Sequence, residues 1–145
     1  MIFNSIAIAS DHRGYQMKSE LISYFHEIGY SYTDFGTDNE DISVDYPDFA
    51  GMVTDYVKTH KKALGILLCF SGVGMSIAAN RHKGIRAVLC DSEEIAKLSR
   101  EHNNANVLCF GAGFIDLSIA KNCIKTFINT QYDPRHSTRL EKIDK

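Results

Sequence analysis

The chain has 145 residues, 44% hydrophobic and 23% charged, the size and balance of one globular domain that buries roughly two-thirds of its unfolded surface and leaves nothing for long disorder. Sixteen Lys and Arg against eighteen Asp and Glu give a net charge of -2, so no overall field draws it to nucleic acid or anionic lipid, and any anion site must be local. The opening MIFNSIAIAS lacks a basic flank and reaches Asp11-His12-Arg13 early, so it reads as a buried strand; no apolar run nears the roughly 20 residues of a bilayer span, and membrane insertion is excluded.

Ser5 to Ala9 is a short apolar run, and from Gln16 the positions Met17, Leu21, Ile22, Phe25 and Ile28 recur at helical spacing before Gly29, which predicts a strand and then a helix. Tyr30 to Phe35 predicts a weaker strand, followed by a polar loop through Asp45 and a helix starting at Pro47 with Phe49, Val53, Tyr56 and Val57 on one face. Ala63 to Cys69 is a continuous apolar strand ending in a glycine-rich turn, with a helix from Met75 to Asn80 and a strand from Ile85 to Cys90 close behind. Asp91 and Ser92 cap a helix over Glu93 to Glu101. Asn106 to Phe110 forms a fifth strand, and Leu117, Ile119, Ala120, Ile124, Phe127 and Ile128 mark the last long helix before a polar, basic tail from Asp133.

This alternation predicts a single doubly wound, Rossmann-like α/β domain over residues 1–145: three layers around a five-stranded parallel sheet, because parallel neighbours need crossovers and helices supply them. Ligands of such sheets sit outside the carboxyl ends of the strands. Chemistry is therefore expected at Ser10 to Gly14, Cys69 to Gly74 and Gly111 to Gly113.

The run GILLCFSGVGMSIAAN puts a thiol, Cys69, at the end of a buried strand and Gly72 and Gly74 in the turn before a helix. Glycine lets backbone approach a ligand, and amides at a helix amino end face anions, so the turn suits a phosphate or an enediolate oxygen. A tight strand-helix turn beside a buried cysteine explains the same residues. The segment matches neither a Walker P-loop nor a GxGxxG fingerprint.

Asp11-His12-Arg13-Gly14 falls on the same edge, either as a carboxylate for sugar hydroxyls beside His and Arg donors for an anion, or as a solvated helix start. His102-Asn103 ends a helix, where an imidazole shuttles protons or simply caps. Arg135-His136-Ser137-Thr138-Arg139 sets two arginines on one face if the tail is helical, though taken alone the segment reads better as a solvated tail. No His, Cys, Asp or Glu set has metal-ligand spacing, and His26, His60 and His82 fall on helix surfaces or ends, so no metal is expected. The four cysteines lack CxxC spacing, which favours reduced thiols and a cytoplasmic setting; Cys90, Cys109 and Cys123 are expected to fill the core.

Taken together, Asp11-His12, CFSGVGMSIAAN, REHNNANVL and RHSTR, in that order over nearly the whole chain, resemble the ribose-5-phosphate isomerase B family, which also includes the galactose-6-phosphate isomerase subunits. The resemblance implies a cytoplasmic aldose-ketose isomerase of the non-oxidative pentose phosphate branch, without metal or cofactor, that interconverts ribose 5-phosphate and ribulose 5-phosphate. It also implies a homodimer, or a tetramer, whose sites draw residues from both subunits, with the tail over 133–145 reaching a neighbour.

By that resemblance Cys69 abstracts the C2 proton, while the amides of Phe70, Ser71, Gly72, Val73 and Gly74 and the Ser71 hydroxyl stabilise the enediolate. His102 opens the sugar ring. Asp11 and Asn103 hold hydroxyls, His12, Arg135 and Arg139 hold the phosphate with Arg13 and His136 as further contacts, and Tyr46 lines the pocket. Three positions depart from the family pattern. The glutamate base of some members is Met75 here, which leaves the proton transfer to Cys69. The glycine usual after the cysteine is Phe70, which would strain a loop needing a positive φ there. The arginine common after the fifth strand is Gly113, whose phosphate contact Arg13 is expected to replace. A hexose-6-phosphate isomerase of the galactose or allose type is the alternative enzyme, and a non-catalytic sugar-phosphate sensor the alternative outside enzymes.

Overall fold

In the computed structural model, which describes residues 1–145, the expected alternation is β1 (Ser5–Ser10), α1 (Tyr15–Ile28), β2 (Tyr32–Asp34), α2 (Tyr46–Thr59), β3 (Ala63–Cys69), α3 (Val73–Ala79), β4 (Ala87–Leu89), α4 (Glu93–Asn103), β5 (Val107–Gly111) and α5 (Leu117–Ile128). A 3-10 turn at Pro134–His136 and a short α6 (Ser137–Leu140) close the chain. All neighbouring strands are parallel, in the order β2-β1-β3-β5-β4. The domain is thus the doubly wound, Rossmann-like one expected. The strand order reverses between β1 and β3, β2 being added on one side and β3 on the other, and the loops leaving those two strands border the crevice where ligands of such sheets bind.

The two-residue period of a strand divides the core. Ile6, Ile8, Leu64, Ile66, Leu68, Leu108 and Phe110 face a layer that includes Leu21 and Phe25 of α1 and Ile124 and Phe127 of α5. Ala7, Ala9, Leu67, Cys69, Val107 and Cys109 face Ala50, Val53 and Val57 of α2 and Met75 and Ala79 of α3. The second layer is built from smaller side chains, so α2 sits close: a Cβ on Gly65 would come within 2.9 Å of the Val53 side chain. Cys69 belongs to this face, which fixes the side from which its sulfur is reached.

Local signals set the helix ends. Ser92 accepts the Ile95 N–H at the start of α4, and Gly29 takes a left-handed φ of 67° at the end of α1. The two edge strands are shorter than the apolar runs that predict them, because each pairs on one side only. Tyr30 turns its hydroxyl to the Phe3 carbonyl at 2.6 Å instead of continuing β2. At β4 the Asn80 side-chain amide takes the outer edge itself, donating to the Ala87 carbonyl at 2.9 Å and accepting the Ala87 N–H at 2.8 Å.

One buried charge holds a sheet edge to its helix. Lys18 of α1 is 1% exposed, and its Nζ lies 2.7 and 2.8 Å from the two Asp34 carboxylate oxygens at the end of β2. Asp34 also accepts the Gly36 N–H at 2.9 Å. Removing the carboxylate strands an ammonium in the core, whereas removing the ammonium leaves a carboxylate that reaches water. Asp34→Ala is accordingly expected to destabilise the fold by about 2–3 kcal/mol and Lys18→Met by less. Urea unfolding of the two variants checks the order, and equal losses would show that the buried ammonium is not the costly partner.

Candidate active site

The loop after β3 carries the thiol. Cys69 is 5% exposed, and its Sγ accepts the Gly72 N–H at 3.2 Å, which fixes the direction of the sulfur. Gly72 has a φ of 77° and lies so close to Gly111 that a Cβ would come within 2.9 Å of the Gly111 nitrogen; both the dihedral and the space call for glycine there. Phe70 does not take a positive φ. The strain foreseen for a side chain at that position is avoided because the left-handed turn falls two residues later.

Ser71 Oγ accepts the Val73 N–H at 3.3 Å, and the amides of Ser71 and Gly74 have no protein acceptor. These amides, with the Ser71 hydroxyl, are the donors available to an oxyanion. Tyr46 opens α2 and lies flat on Gly74, where a Cβ would meet Tyr46 Cζ at 2.6 Å. The tyrosine therefore roofs the loop.

The loop after β1 is tied to the same edge, since the Asp11 N–H donates to the Leu68 carbonyl at 3.1 Å. Asp11 is 7% exposed, and its Oδ1 accepts the N–H groups of Arg13 and Gly14 at 2.9 and 3.1 Å. Its Oδ2 has no protein hydrogen-bond partner and is left for a ligand hydroxyl. His12 Nδ1 accepts the Val44 N–H at 3.2 Å. A neutral His12 therefore carries its proton on Nε2 and presents a donor.

His102 and Asn103 are elsewhere. The 11 residues of α4 rise about 16 Å from the carboxyl edge of the sheet to its amino edge, so within one chain they stand well away from Cys69. The tail joins them there. The Asp133 N–H donates to the Glu101 carbonyl at 3.0 Å, and the His136 ring centroid is 4.5 Å from that of His102. Arg135 Nε and Arg139 Nη1 approach the two His136 ring nitrogens at 3.2 and 3.0 Å. Partial burial and the adjoining His102, Arg135 and Arg139 hold the His136 imidazole below its ordinary pKa. Asp133 Oδ2 lies 2.9 Å from Arg135 Nε; Arg139 has no carboxylate partner, and with a neutral His136 ring the cluster keeps a net positive charge.

The site residues expected from the sequence thus form two groups. Asp11, His12, Arg13, Tyr46 and Cys69 to Gly74 meet at the carboxyl edge; His102, Asn103, Arg135, His136 and Arg139 meet at the amino edge. Sequence reasoning missed Phe114, whose ring stands edge-on to Phe70 at 5.5 Å; an aromatic residue in the turn Gly111-Ala112-Gly113-Phe114 was the available signal. It also missed the Val44 amide, a backbone contact with no residue signature. Cys90, Cys109 and Cys123 lie in the core as expected, and burial pushes the Cys109 thiol far up. No group of three or more His, Cys, Asp or Glu side chains is placed to hold a metal ion, and no helix is long and apolar enough to cross a membrane.

Comparison with known proteins places this geometry. Residues 6–143 match the family model described as Ribose/Galactose Isomerase. Ribose-5-phosphate isomerase B of Escherichia coli is 41% identical over 139 residues, 95% of this chain and 93% of that protein. Among solved structures, a ribose 5-phosphate isomerase of Thermotoga maritima superposes with a TM-score of 0.94 at 45% identity, covering 97% of both chains. Ribose-5-phosphate isomerase B of Mycoplasma genitalium, solved with bound ribulose 5-phosphate, gives 0.91 at 40% identity over 96% of this chain and 93% of that one. With the fold, the order of motifs and nearly the full length in agreement, the chain belongs to the ribose/galactose isomerase family.

Proposed function

We propose that the protein interconverts ribose 5-phosphate and ribulose 5-phosphate in the cytoplasm, without metal or cofactor, at sites each completed by a second copy of the chain. The observation that carries this reading is the thiol at the end of β3, facing a loop whose Ser71 and Gly74 amides are unpaired. The ribulose 5-phosphate held by the Mycoplasma genitalium relative supports the pentose substrate.

On this reading His102 moves the anomeric hydroxyl proton to the ring oxygen and opens the sugar. Cys69, as thiolate, takes the C2 proton. The C–H electron pair becomes the C1–C2 double bond, and the carbonyl oxygen O1 gains the negative charge that the loop amides and Ser71 hydroxyl meet. Transfer of the O2 hydroxyl proton to O1, and return of the proton from Cys69 to C1 as O2 becomes the carbonyl, gives the ketose. Met75 lies in the core at 0% exposure and offers no alternative base. Asp11 Oδ2 and Asn103 take hydroxyls, Tyr46 walls the pocket, and His12 with Arg135, Arg139 and His136 takes the phosphate.

The separation of the two residue groups supports the two-copy site. An isologous pair laid carboxyl edge to amino edge completes two sites at once. Val73 and Ile77, one helical turn apart on α3 and 45% and 53% exposed, supply an apolar face for that contact. Turnover of ribose 5-phosphate, allose 6-phosphate and galactose 6-phosphate measured side by side tests the substrate assignment. Ribose 5-phosphate is expected to lead in kcat/KM by roughly tenfold or more, since a mismatched pocket contact costs on the order of 1–3 kcal/mol; a faster hexose phosphate would reassign the substrate.

A further inference from the structure

Three side chains at the mouth of the thiol loop interlock in a way that the chemistry above does not use. Arg13 lies over the Phe70 ring, its Cζ 4.2 Å from the centroid. Phe114 braces that ring edge-on, with centroids 5.5 Å apart at 65°. On its remaining side the ring closes on Gly113, where a Cβ would overlap the ring atoms. The backbone under Arg13 is equally fixed: Asp11 Oδ1 accepts its N–H, and Gly14 is pressed against β3, where a Cβ would come within 2.7 Å of the Leu68 carbonyl oxygen.

The guanidinium held by this assembly makes no ion pair and no side-chain hydrogen bond. A ring face attracts the plane of a guanidinium and leaves its N–H edges free, and those edges form the fork that fits two oxygens of a phosphate. Phe70 and Phe114 are 43% and 72% exposed. Their apolar faces are kept at the surface where they hold a charge one residue from the thiol.

We infer that Arg13, seated on Phe70, is a phosphate-gripping residue of this site, and that Phe70 and Gly113 are its positioning residues. The inference rests on the reading that the ligand is a sugar phosphate. Because Arg13 grips a group that does not change during reaction, it binds ground state and transition state alike and acts on KM rather than kcat.

Binding of inorganic phosphate to the intact protein, read by calorimetry, is the direct test, with ribose 5-phosphate turnover run in parallel. Arg13→Ala is expected to weaken phosphate roughly tenfold and to raise KM by a similar factor with kcat within about threefold. Arg13→Lys keeps the charge but not the fork, and recovers only part of the affinity. Gly113→Ala leaves Arg13 in place but displaces the ring beneath it, and is expected to weaken phosphate binding about as much as Phe70→Leu does. Unchanged phosphate affinity in Arg13→Ala overturns the inference, and so does full affinity in both shelf variants. If the unaltered protein fails to turn over ribose 5-phosphate while Arg13→Ala still weakens phosphate, the substrate reading falls and this one stands.

Discussion

Cys69→Ala is expected to lower kcat for ribose 5-phosphate on the order of a thousandfold, with KM changed far less, because a positioned base typically contributes about 10²–10⁴ in rate. The environment offers no substitute. Met75 is buried and apolar, and Asp11 spends one carboxylate oxygen on the turn amides of Arg13 and Gly14. Cys69→Ser preserves shape and the contact with the Gly72 amide, yet its hydroxyl does not ionise near neutral pH, so it is expected to be nearly as slow. Iodoacetamide gives an independent readout. It should inactivate the protein by modifying Cys69, ribose 5-phosphate should protect, and the core thiols Cys90, Cys109 and Cys123, at most 1% exposed, should stay unmodified. A Cys69→Ala protein within tenfold of full activity would end the case for this base.

The second large effect concerns where the site is assembled. Cys69→Ala and His102→Ala proteins are each expected to be severely impaired alone. Co-expressed, they pair at random, and half of the dimers are mixed. In a mixed dimer one site takes an intact Cys69 from one copy and an intact His102 from the other, while its twin takes both lesions. Recovery to about a quarter of full activity is therefore expected. A site complete within one chain would give no recovery above the average of the two parents. The result separates the two cases without knowledge of the interface contacts.

The sheet and its helices were legible because their signals are local and periodic: the apolar run Ala63 to Cys69 and the helical spacing of Met17, Leu21 and Phe25 state burial directly. The edge strands were overread, since Tyr30 and Asn80 end them through side-chain contacts with distant backbone. The carboxyl edge was legible in the same way, as topology alone brings Asp11 and Cys69 together. The relation of His102 to Arg135 and His136 was not. It depends on where the tail folds, through bonds such as the one from the Asp133 amide to Glu101, and no spacing in the sequence encodes it. Likewise Phe70 and Gly113 looked like two separate departures from a pattern, and only packing makes them one: the ring fills the space a side chain at 113 would need.

The Asn80 clasp on β4 limits how copies of this protein can meet. An edge strand with free N–H and C=O groups recruits strands from other molecules, by ordered continuation of the sheet or by uncontrolled stacking. Here the outer amide and carbonyl of Ala87 are already taken by one side chain of the same subunit. If the sites are completed by a second copy, as proposed, that clasp steers association away from strand-to-strand growth at β4 and toward the helical and loop surfaces where the two groups of site residues can meet.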